Sequence, residues 1–275
     1  MFSQINQPAF EMRYLRLFFL YFQNAFSHRG RPLVYIFTYV FNALLFLAFL
    51  QGVFNHTNTI NSWTLSSITS YYFILIIVAA TLMTHPEVPI LRDDIEKGEL
   101  AGRLLKPFSY FWQQFTMELP VRIFQGIVGV VIAFFLTILY HTVIEFRLSV
   151  ITTLLAVVII VFAYFICFTF KMILAVTGLW TTETRGAQEL TDMLILMFAG
   201  YIIPVNLLPG ILEKIATTLP FAYIIYYPIV AIQGRLPLTE LLGVICMQII
   251  WLALLGVLFQ VLWKKGLMQY ADFGH

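Results

Sequence analysis

Long apolar runs dominate this chain and alternate with short polar segments. A helix that crosses the hydrocarbon core of a bilayer needs about 20 mostly apolar residues. Six runs reach or approach that length, at residues 33–54, 68–84, 121–140, 148–170, 187–208 and 238–263. The pattern predicts an all-α integral membrane protein with six transmembrane helices. Because no internal repeat or long polar stretch interrupts it, we expect residues 1–275 to form a single transmembrane domain.

The first thirty residues carry apolar positions at helical spacing, but they do not form an uninterrupted apolar run. Tyr14, Phe18 and Tyr21 belong to the apolar stripe, whereas Arg13 and Arg16 interrupt it. This pattern favours an amphipathic helix in residues 1–30 that lies in the membrane interface, with its aromatic side chains toward lipid and its cations near anionic headgroups. A frayed tail is the alternative.

The largest hydrophilic feature is the segment 87–114, which follows the second predicted span. Within it, residues 92–105 are expected to form a short charged helix that ends before Pro107. Such a helix, lying parallel to the membrane, offers a docking surface to a soluble partner. Its charged residues are Arg92, Asp93, Asp94, Glu96, Lys97, Glu99 and Arg103.

Residues 204–237 contain five prolines, too many for one continuous helix. Two short helices, 211–219 and 221–232, are expected between the fifth and sixth spans as re-entrant half-helices. Irregular backbone at membrane depth persists only where it is buried in protein or lines a cavity. We therefore expect this external region, with Pro204, Pro209 and Pro220, to form the outer end of a transport path.

A polar stretch before the fifth predicted span contains Arg185, Glu189 and Asp192. A carboxylate inside a membrane helix normally faces the bundle interior or a water-filled cavity. These three residues are therefore further candidates for the transport path. Alternatively, Arg185 and its acidic neighbours pair with each other and only fix helix packing.

Composition and charge agree with the membrane assignment and orient the chain. Of the 275 residues, 60% are hydrophobic and 11% are charged, and the mean hydropathy is +0.87; soluble domains carry about 25% charged residues. With six spans and a cytoplasmic N-terminus, 13 of the 16 Lys and Arg residues lie inside, and only Arg147, Lys214 and Arg235 lie outside. Basic loops face the cytoplasm, so both termini are predicted there. The net charge of +2 gives no indication of a nucleic-acid partner.

Motifs for self-contained chemistry are missing from the sequence. There is no GxxxxGK[ST] phosphate loop, no HExxH and no GxSxG. Cys167 and Cys246 stand in apolar runs without the spacing of a metal or redox pair. Charged residues near the membrane midplane are almost lacking, which argues against ion-coupled transport.

One enzymatic alternative depends on the acidic residues beside the second span. Asp93, Asp94 and Glu96, with Glu99 nearby, are candidates to hold magnesium against a diphosphate, as in membrane prenyltransferases. Glu183, Glu189 and Asp192 are candidates for a second cluster. Against this, the segment reads DDIEK rather than DDxxD, and Arg92 and Lys97 partly neutralise it.

The order of these features resembles the type-2 permease family of ABC exporters. The segment LRDDIEKGELAGRLLKPFSYFWQQ resembles the cytoplasmic loop of a bacterial branch of drug, lipid and polysaccharide exporter-like permeases, which runs roughly "dI..G.l...LlkP". The segment GYIIPVNLLPGILEKIATTLPFAYIIYYPIVAIQG resembles that branch's "G..iP...lP......lPF....y.P......G". The second motif is the more specific of the two, and the resemblance covers essentially the whole chain.

The resemblance implies a half-transporter in a bacterial inner membrane. Two permease subunits, identical or homologous, would associate with a cytoplasmic ABC ATPase dimer and with membrane lipid. The chain itself would bind no cofactor and catalyse no reaction, because ATP and magnesium would be bound by the partner ATPase. Residues 92–105 and the N-terminal helix would dock the ATPase, and an amphipathic or lipid-like substrate would move outward.

Overall fold

The computed structural model describes residues 14–23, 30–54, 59–141, 144, 146, 149–181 and 184–272. These residues are helical apart from turns and one isolated β-bridge between Ile60 and Trp63. Five long helices are apolar enough to cross a membrane: α2 (Gly30–Phe54), α3 (Leu65–Leu82), α6 (Tyr110–Leu139), α7 (Val150–Thr177) and α11 (Leu238–Asp272). They overlap the first, second, third, fourth and sixth predicted spans, so the all-α membrane class is confirmed.

Helix α3 forms the centre of the bundle, and most of its side chains are buried. It packs against α2 on one side and α6 on another, while α7 packs along α11. Small residues permit the close approach of α6: a Cβ at Gly129 would lie 3.3 Å from the Cβ of Ala80 on α3. Lipid already solvates the apolar surfaces of membrane helices, so the hydrophobic effect does not drive their association. Close van der Waals packing of this kind holds them together instead.

Local sequence fixes where two of the long helices begin. Thr64 caps α3 and Ser149 caps α7, and each hydroxyl accepts a hydrogen bond from the backbone N–H three residues later. The hydroxyls of Ser67 and Thr152 accept from the cap residues in return. Such reciprocal capping satisfies donors that would otherwise be unpaired at a helix start.

The predicted fifth span, residues 187–208, is not one continuous helix. Helix α8 (Arg185–Phe198) has only 14 residues, and the chain then turns at Gly200, whose φ is +83°. The backbone beyond this turn is bonded to α3: the Tyr71 hydroxyl donates to the Gly200 carbonyl at 2.6 Å and the Tyr72 hydroxyl to the Ile202 carbonyl at 2.5 Å. These bonds satisfy carbonyls that an α-helix would otherwise have paired.

The region 204–237 consists of short helices, as its prolines predict. Helices α9 (Gly210–Thr218) and α10 (Tyr226–Ile232) flank a 3₁₀ turn, Pro220–Tyr223. The chain bends by 68° between α9 and the segment Pro220–Ile232, which makes this pair either a broken span or a re-entrant loop. Within the described residues, the candidate spans therefore number five, or up to six if the bent pair is counted as one.

Residues 14–23 form a helix, α1, within the predicted N-terminal helix. Its half-buried face holds Tyr14, Phe18 and Tyr21, whereas Leu15 and Phe19 are exposed. The Tyr14 ring makes an edge contact with Phe108, with 5.1 Å between ring centroids. Tyr14 therefore packs against the protein, and the expected orientation of the aromatic stripe toward lipid stays a prediction. The remainder of residues 1–30 before Gly30 lies outside the described ranges.

Candidate functional site

The charged segment after α3 is a compact hairpin rather than the single helix expected at 92–105. A short turn of helix, α4 (Glu87–Pro89), leads into a π-helix, Ile90–Glu96. The chain turns at Gly98, where φ is +75°, and continues as α5 (Leu100–Leu104). Glycine adopts this left-handed conformation without steric cost, which is why the expected helix is divided at that position.

Asp94 anchors the hairpin to the bundle. Its side chain is 1% exposed and is held by the Tyr110 hydroxyl at 2.5 Å, the Gln114 amide at 2.9 Å and the Arg103 guanidinium at 2.5 Å. The Tyr110 ring in turn stacks on Trp263 of α11. Asp94 is therefore not part of the exposed docking surface expected for residues 92–105, because its charge is buried and is compensated by the half-buried guanidinium of Arg103.

The other charges of the hairpin lie at its surface. Asp93 pairs with Arg92 at 2.7 Å and with Lys97 at 2.8 Å, and Glu96 and Glu99 are exposed. Leu105, at the far end of α5, is 88% exposed. The surface formed by residues 96–106, hereafter the hairpin tip, thus combines both signs of charge with an exposed apolar side chain. It is accessible in this chain, and its predicted docking role stays a prediction.

A buried ion network lies directly beside the hairpin. Lys171 of α7 is 0% exposed, and its Nζ lies 3.0 Å from Glu87 Oε1 and 2.7 Å from Asp192 Oδ1. Glu87 Oε1 is also 3.3 Å from Nδ1 of His85. Glu87 belongs to α4, immediately before the hairpin, and Asp192 belongs to α8. One buried ammonium group therefore connects the hairpin to the predicted transport-path helix.

A second set of charges extends the network into α6. Glu118 accepts a hydrogen bond from the His85 backbone N–H at 3.1 Å and one from Arg122 Nε at 2.7 Å. Arg122 also donates to the Gln125 side chain at 2.6 Å. Because Arg122 is buried, these bonds supply the partners that a desolvated guanidinium requires. The corner after α3 is thus held by polar contacts to both α6 and α7.

The predicted path residues do not converge on one site. Asp192 contacts Lys171 and is itself 54% exposed, whereas Arg185 and Glu189 form an exposed pair at 3.5 Å. The three prolines lie at the breaks that follow α8 and flank α9: Pro204 and Pro220 are buried, and Pro209 is exposed. Their part in transport stays a prediction.

Sequence reasoning missed the central residues of the network. Lys171 counts among the basic residues near a span end, and Glu87 falls beside two prolines. Neither position indicates that the two side chains meet, since they are 84 residues apart. The only local signal is the four-residue spacing of Glu118 and Arg122, which places both on one side of a helix.

The magnesium-diphosphate alternative finds no support in the geometry. Asp93 and Asp94 are adjacent in sequence, but one is paired with Arg92 and Lys97 and the other is buried against Arg103. In the part of the chain that the structure describes, no three His, Cys, Asp or Glu residues converge as metal ligands. Glu183, a member of the second suggested cluster, lies outside the described residues.

The fold and these sites define a multi-pass helical membrane protein that carries a charged hairpin and a buried ion network. Residues 38–274 match the family model described as ABC-2 family transporter protein. The chain therefore belongs to the ABC-2 transporter family and is a membrane permease of an ABC transporter, a type of subunit that works with an ABC ATPase. No curated protein and no solved structure matches it significantly.

Proposed function

We propose that this chain is the membrane half of an ATP-driven exporter for amphipathic, drug-like, lipid or glycan substrates. Two permease subunits and two ATPase subunits form the working unit, in a bacterial inner membrane with both permease termini in the cytoplasm. The observation that carries the proposal is the hairpin, which combines a buried anchor at Asp94 with the exposed hairpin tip. A rigid anchor and an accessible tip suit a part that transmits force from a soluble partner.

The route of that force is suggested by the order of contacts. The hairpin is continuous with α4, and α4 contributes Glu87 to the ion pair with Lys171. Lys171 also holds Asp192, so a displacement of the hairpin changes the position of the charge that holds α8. Leu91 of the hairpin lies against Gly178 at the end of α7, where an added Cβ would meet Leu91 Cδ2. This close contact favours movement of the hairpin and α7 together.

The position of α3 also supports a sidedness for the chain. Helix α3 is 18 residues long, which corresponds to about 27 Å at the α-helical rise. The hairpin follows its C-terminal end, and the residues around Trp63 precede its N-terminal end. We assign the hairpin end to the cytoplasm, because the basic residues concentrate there. In this arrangement α8 and the segment 199–206 together complete a fifth crossing, and the bent pair lies near the external surface.

The experiment is reconstitution with the ABC ATPase that the family assignment implies as a partner. The purified permease alone should hydrolyse no ATP, and in proteoliposomes it should increase the turnover of the ATPase. Reversal of two tip charges, Glu96→Lys with Lys97→Glu, should weaken the association and abolish this stimulation, more strongly at high salt. Lys214→Glu is the matched control, since Lys214 is exposed on α9.

Three results decide the proposal. Stimulation that is lost in the tip variant and retained in the Lys214→Glu variant supports it. ATP turnover by the permease alone, with no ATPase present, contradicts the half-transporter. Stimulation that survives the tip reversal contradicts docking at the hairpin.

A further inference from the structure

His85 lies at the corner between α3 and α4, inside the buried ion network, and its side chain is 13% exposed. Histidine is the residue type whose charge ordinarily changes near neutral pH. The ring nitrogen Nδ1 lies 3.3 Å from Glu87 Oε1, and Nε2 lies 3.5 Å from the Tyr39 hydroxyl of α2. A neutral imidazole donates from one nitrogen and accepts at the other, whereas a charged one donates from both. Because the Tyr39 hydroxyl can either donate or accept, these contacts accommodate both protonation states.

The two carboxylates nearest to the imidazole each have a cation of their own. Glu87 lies 3.0 Å from the ammonium group of Lys171 on α7. Glu118 of α6, which accepts the backbone N–H of His85, lies 2.6 Å from the guanidinium of Arg122. These two pairs balance each other's charge, so a neutral imidazole beside them leaves the site without net charge.

Asp192 of α8 changes this balance. Its Oδ1 lies 2.7 Å from Lys171 Nζ, so the network then holds three carboxylates and only two basic side chains besides His85. An uncompensated charge in a buried site is costly, and a proton on His85 would compensate it. The Tyr35 ring stacks on the imidazole, with 4.8 Å between ring centroids and 11° between the planes. The face of an aromatic ring attracts a positive charge, so this contact also favours the protonated state.

The carboxylate of Glu87 has capacity for more positive charge beside it. Its Oε1 is shared by Lys171 and His85, whereas its Oε2 is buried and accepts no hydrogen bond within the part of the chain that the structure describes. Buried polar atoms normally have a partner. A charged imidazole next to this carboxylate therefore stabilises it more than a neutral one does.

We infer that His85 is a proton-binding site whose occupancy is linked to the contact between Asp192 and Lys171. While that contact is present, the third carboxylate keeps the proton on His85. When α8 withdraws Asp192 into water, Lys171 neutralises Glu87 alone and His85 releases its proton to the solvent. Linkage is reciprocal, so loss of the proton weakens the hold of Lys171 on Asp192. The inference rests on the proposed function only in giving the movement of α8 a part in transport.

The test measures the protonation of His85 in the full chain, reconstituted without an ATPase in phosphatidylcholine bilayers. Solid-state NMR of ¹⁵N-labelled histidine distinguishes the charged ring from the neutral one, over the range of about pH 5 to 8 in which imidazole titrates. The signal of His85 is assigned by its loss in the His85→Gln variant.

The primary variant is Asp192→Asn. Contacts of 2.7, 3.0 and 3.3 Å run from Asp192 Oδ1 through Lys171 Nζ and Glu87 Oε1 to His85 Nδ1, so the two end atoms lie no more than about 9 Å apart. Removing a unit charge at that distance from a partly screened site displaces a titration by about 0.5–1 pH unit. Because the lost charge is negative, the titration of His85 should move to lower pH.

Two further variants test the sign and the size of the effect. Asp192→Lys should displace the titration about twice as far in the same direction, since it reverses the charge. Lys171→Met should displace it to higher pH, because it removes a cation and leaves the Glu87 carboxylate. If Lys171→Met is not monodisperse, Asp192→Lys decides the question, since Asp192 is half exposed and its replacement leaves the buried pair intact.

The matched control is Glu240→Gln, which removes one exposed carboxylate beside Trp63, at the opposite end of α3 from His85. It should leave the titration unchanged, because salt screens exposed charges beyond about 10 Å. The inference is overturned if Asp192→Asn leaves the titration in place, if Asp192→Lys moves it no further, or if Glu240→Gln moves it equally. Since no ATPase takes part, an unshifted titration contradicts only this inference, and a failure to stimulate the ATPase contradicts only the proposed function.

Discussion

Replacement of Lys171 tests the buried ion network. Lys171→Met keeps most of the side-chain volume and removes the ammonium group that contacts Glu87 and Asp192. Asp192 is half exposed, so water can solvate it, and its share of the loss is only about 0–1 kcal/mol. Glu87 is 1% exposed and would remain as a buried carboxylate without its cation. Breaking a buried pair in this way costs about 3–5 kcal/mol.

The contact between His85 and Glu87 places the expected loss of stability at the lower end of that range. A second polar partner 3.3 Å from the carboxylate compensates part of the missing charge. We therefore expect a loss of about 3 kcal/mol in the free energy of unfolding. The measurement is denaturation in mixed micelles, followed by tryptophan fluorescence.

A double variant separates charge from packing. Adding Glu87→Gln to Lys171→Met removes the uncompensated carboxylate, so most of the lost stability should return. Asp192→Asn is the matched control, since it changes the exposed partner and leaves the buried pair intact. The reasoning is refuted if Lys171→Met is as stable as the unmodified chain, or if the double variant is no more stable than the single one.

Two further predictions concern the turn after α8 and the anchor of the hairpin. Gly200→Ala should destabilise the fold by about 1–3 kcal/mol through backbone strain, and its added Cβ would lie only 2.8 Å from the Tyr71 hydroxyl. Gly210→Ala is the control, because a Cβ at that position meets open space and should not destabilise the fold. Thermal unfolding monitored by size-exclusion chromatography compares the two variants. Tyr110→Phe should cost about 1.5–3 kcal/mol by removing a hydrogen bond to the Asp94 carboxylate, and unchanged stability in the same assay would contradict the role of Asp94 as an anchor.

The sequence predicts the long helices well because each must be apolar along most of its length. Helix α6 nevertheless begins at Tyr110, eleven residues before the predicted span at 121–140. Gln113, Gln114 and Glu118 lower the hydropathy of this first part, and Pro120 suggests a boundary. Side-chain contacts account for the difference. The Gln114 amide donates a hydrogen bond to Asp94, and Glu118 accepts one from Arg122, so these polar residues have partners within the protein and the helix can include them.

The candidate site was harder to predict than the fold. Hydropathy evaluates each charge singly, whereas the cost of burying a charge depends on its partner. Lys171 has its two partners 84 and 21 residues away, and no local pattern specifies those contacts. The helix break after Phe198 could not be predicted locally either, because the hydroxyls that donate to the backbone carbonyls beyond it belong to Tyr71 and Tyr72 of α3.

The proposed function requires that the hairpin tip and helix α9 lie on opposite sides of the membrane, with the ATPase on the side of the tip. The most direct measurement is labelling of single cysteines in sealed cells with a membrane-impermeant maleimide, after replacement of Cys167 and Cys246. The account predicts that Lys214→Cys is labelled in intact cells and that Lys97→Cys is labelled only after permeabilisation. Labelling of Lys97→Cys in intact cells, with Lys214→Cys protected, would contradict it.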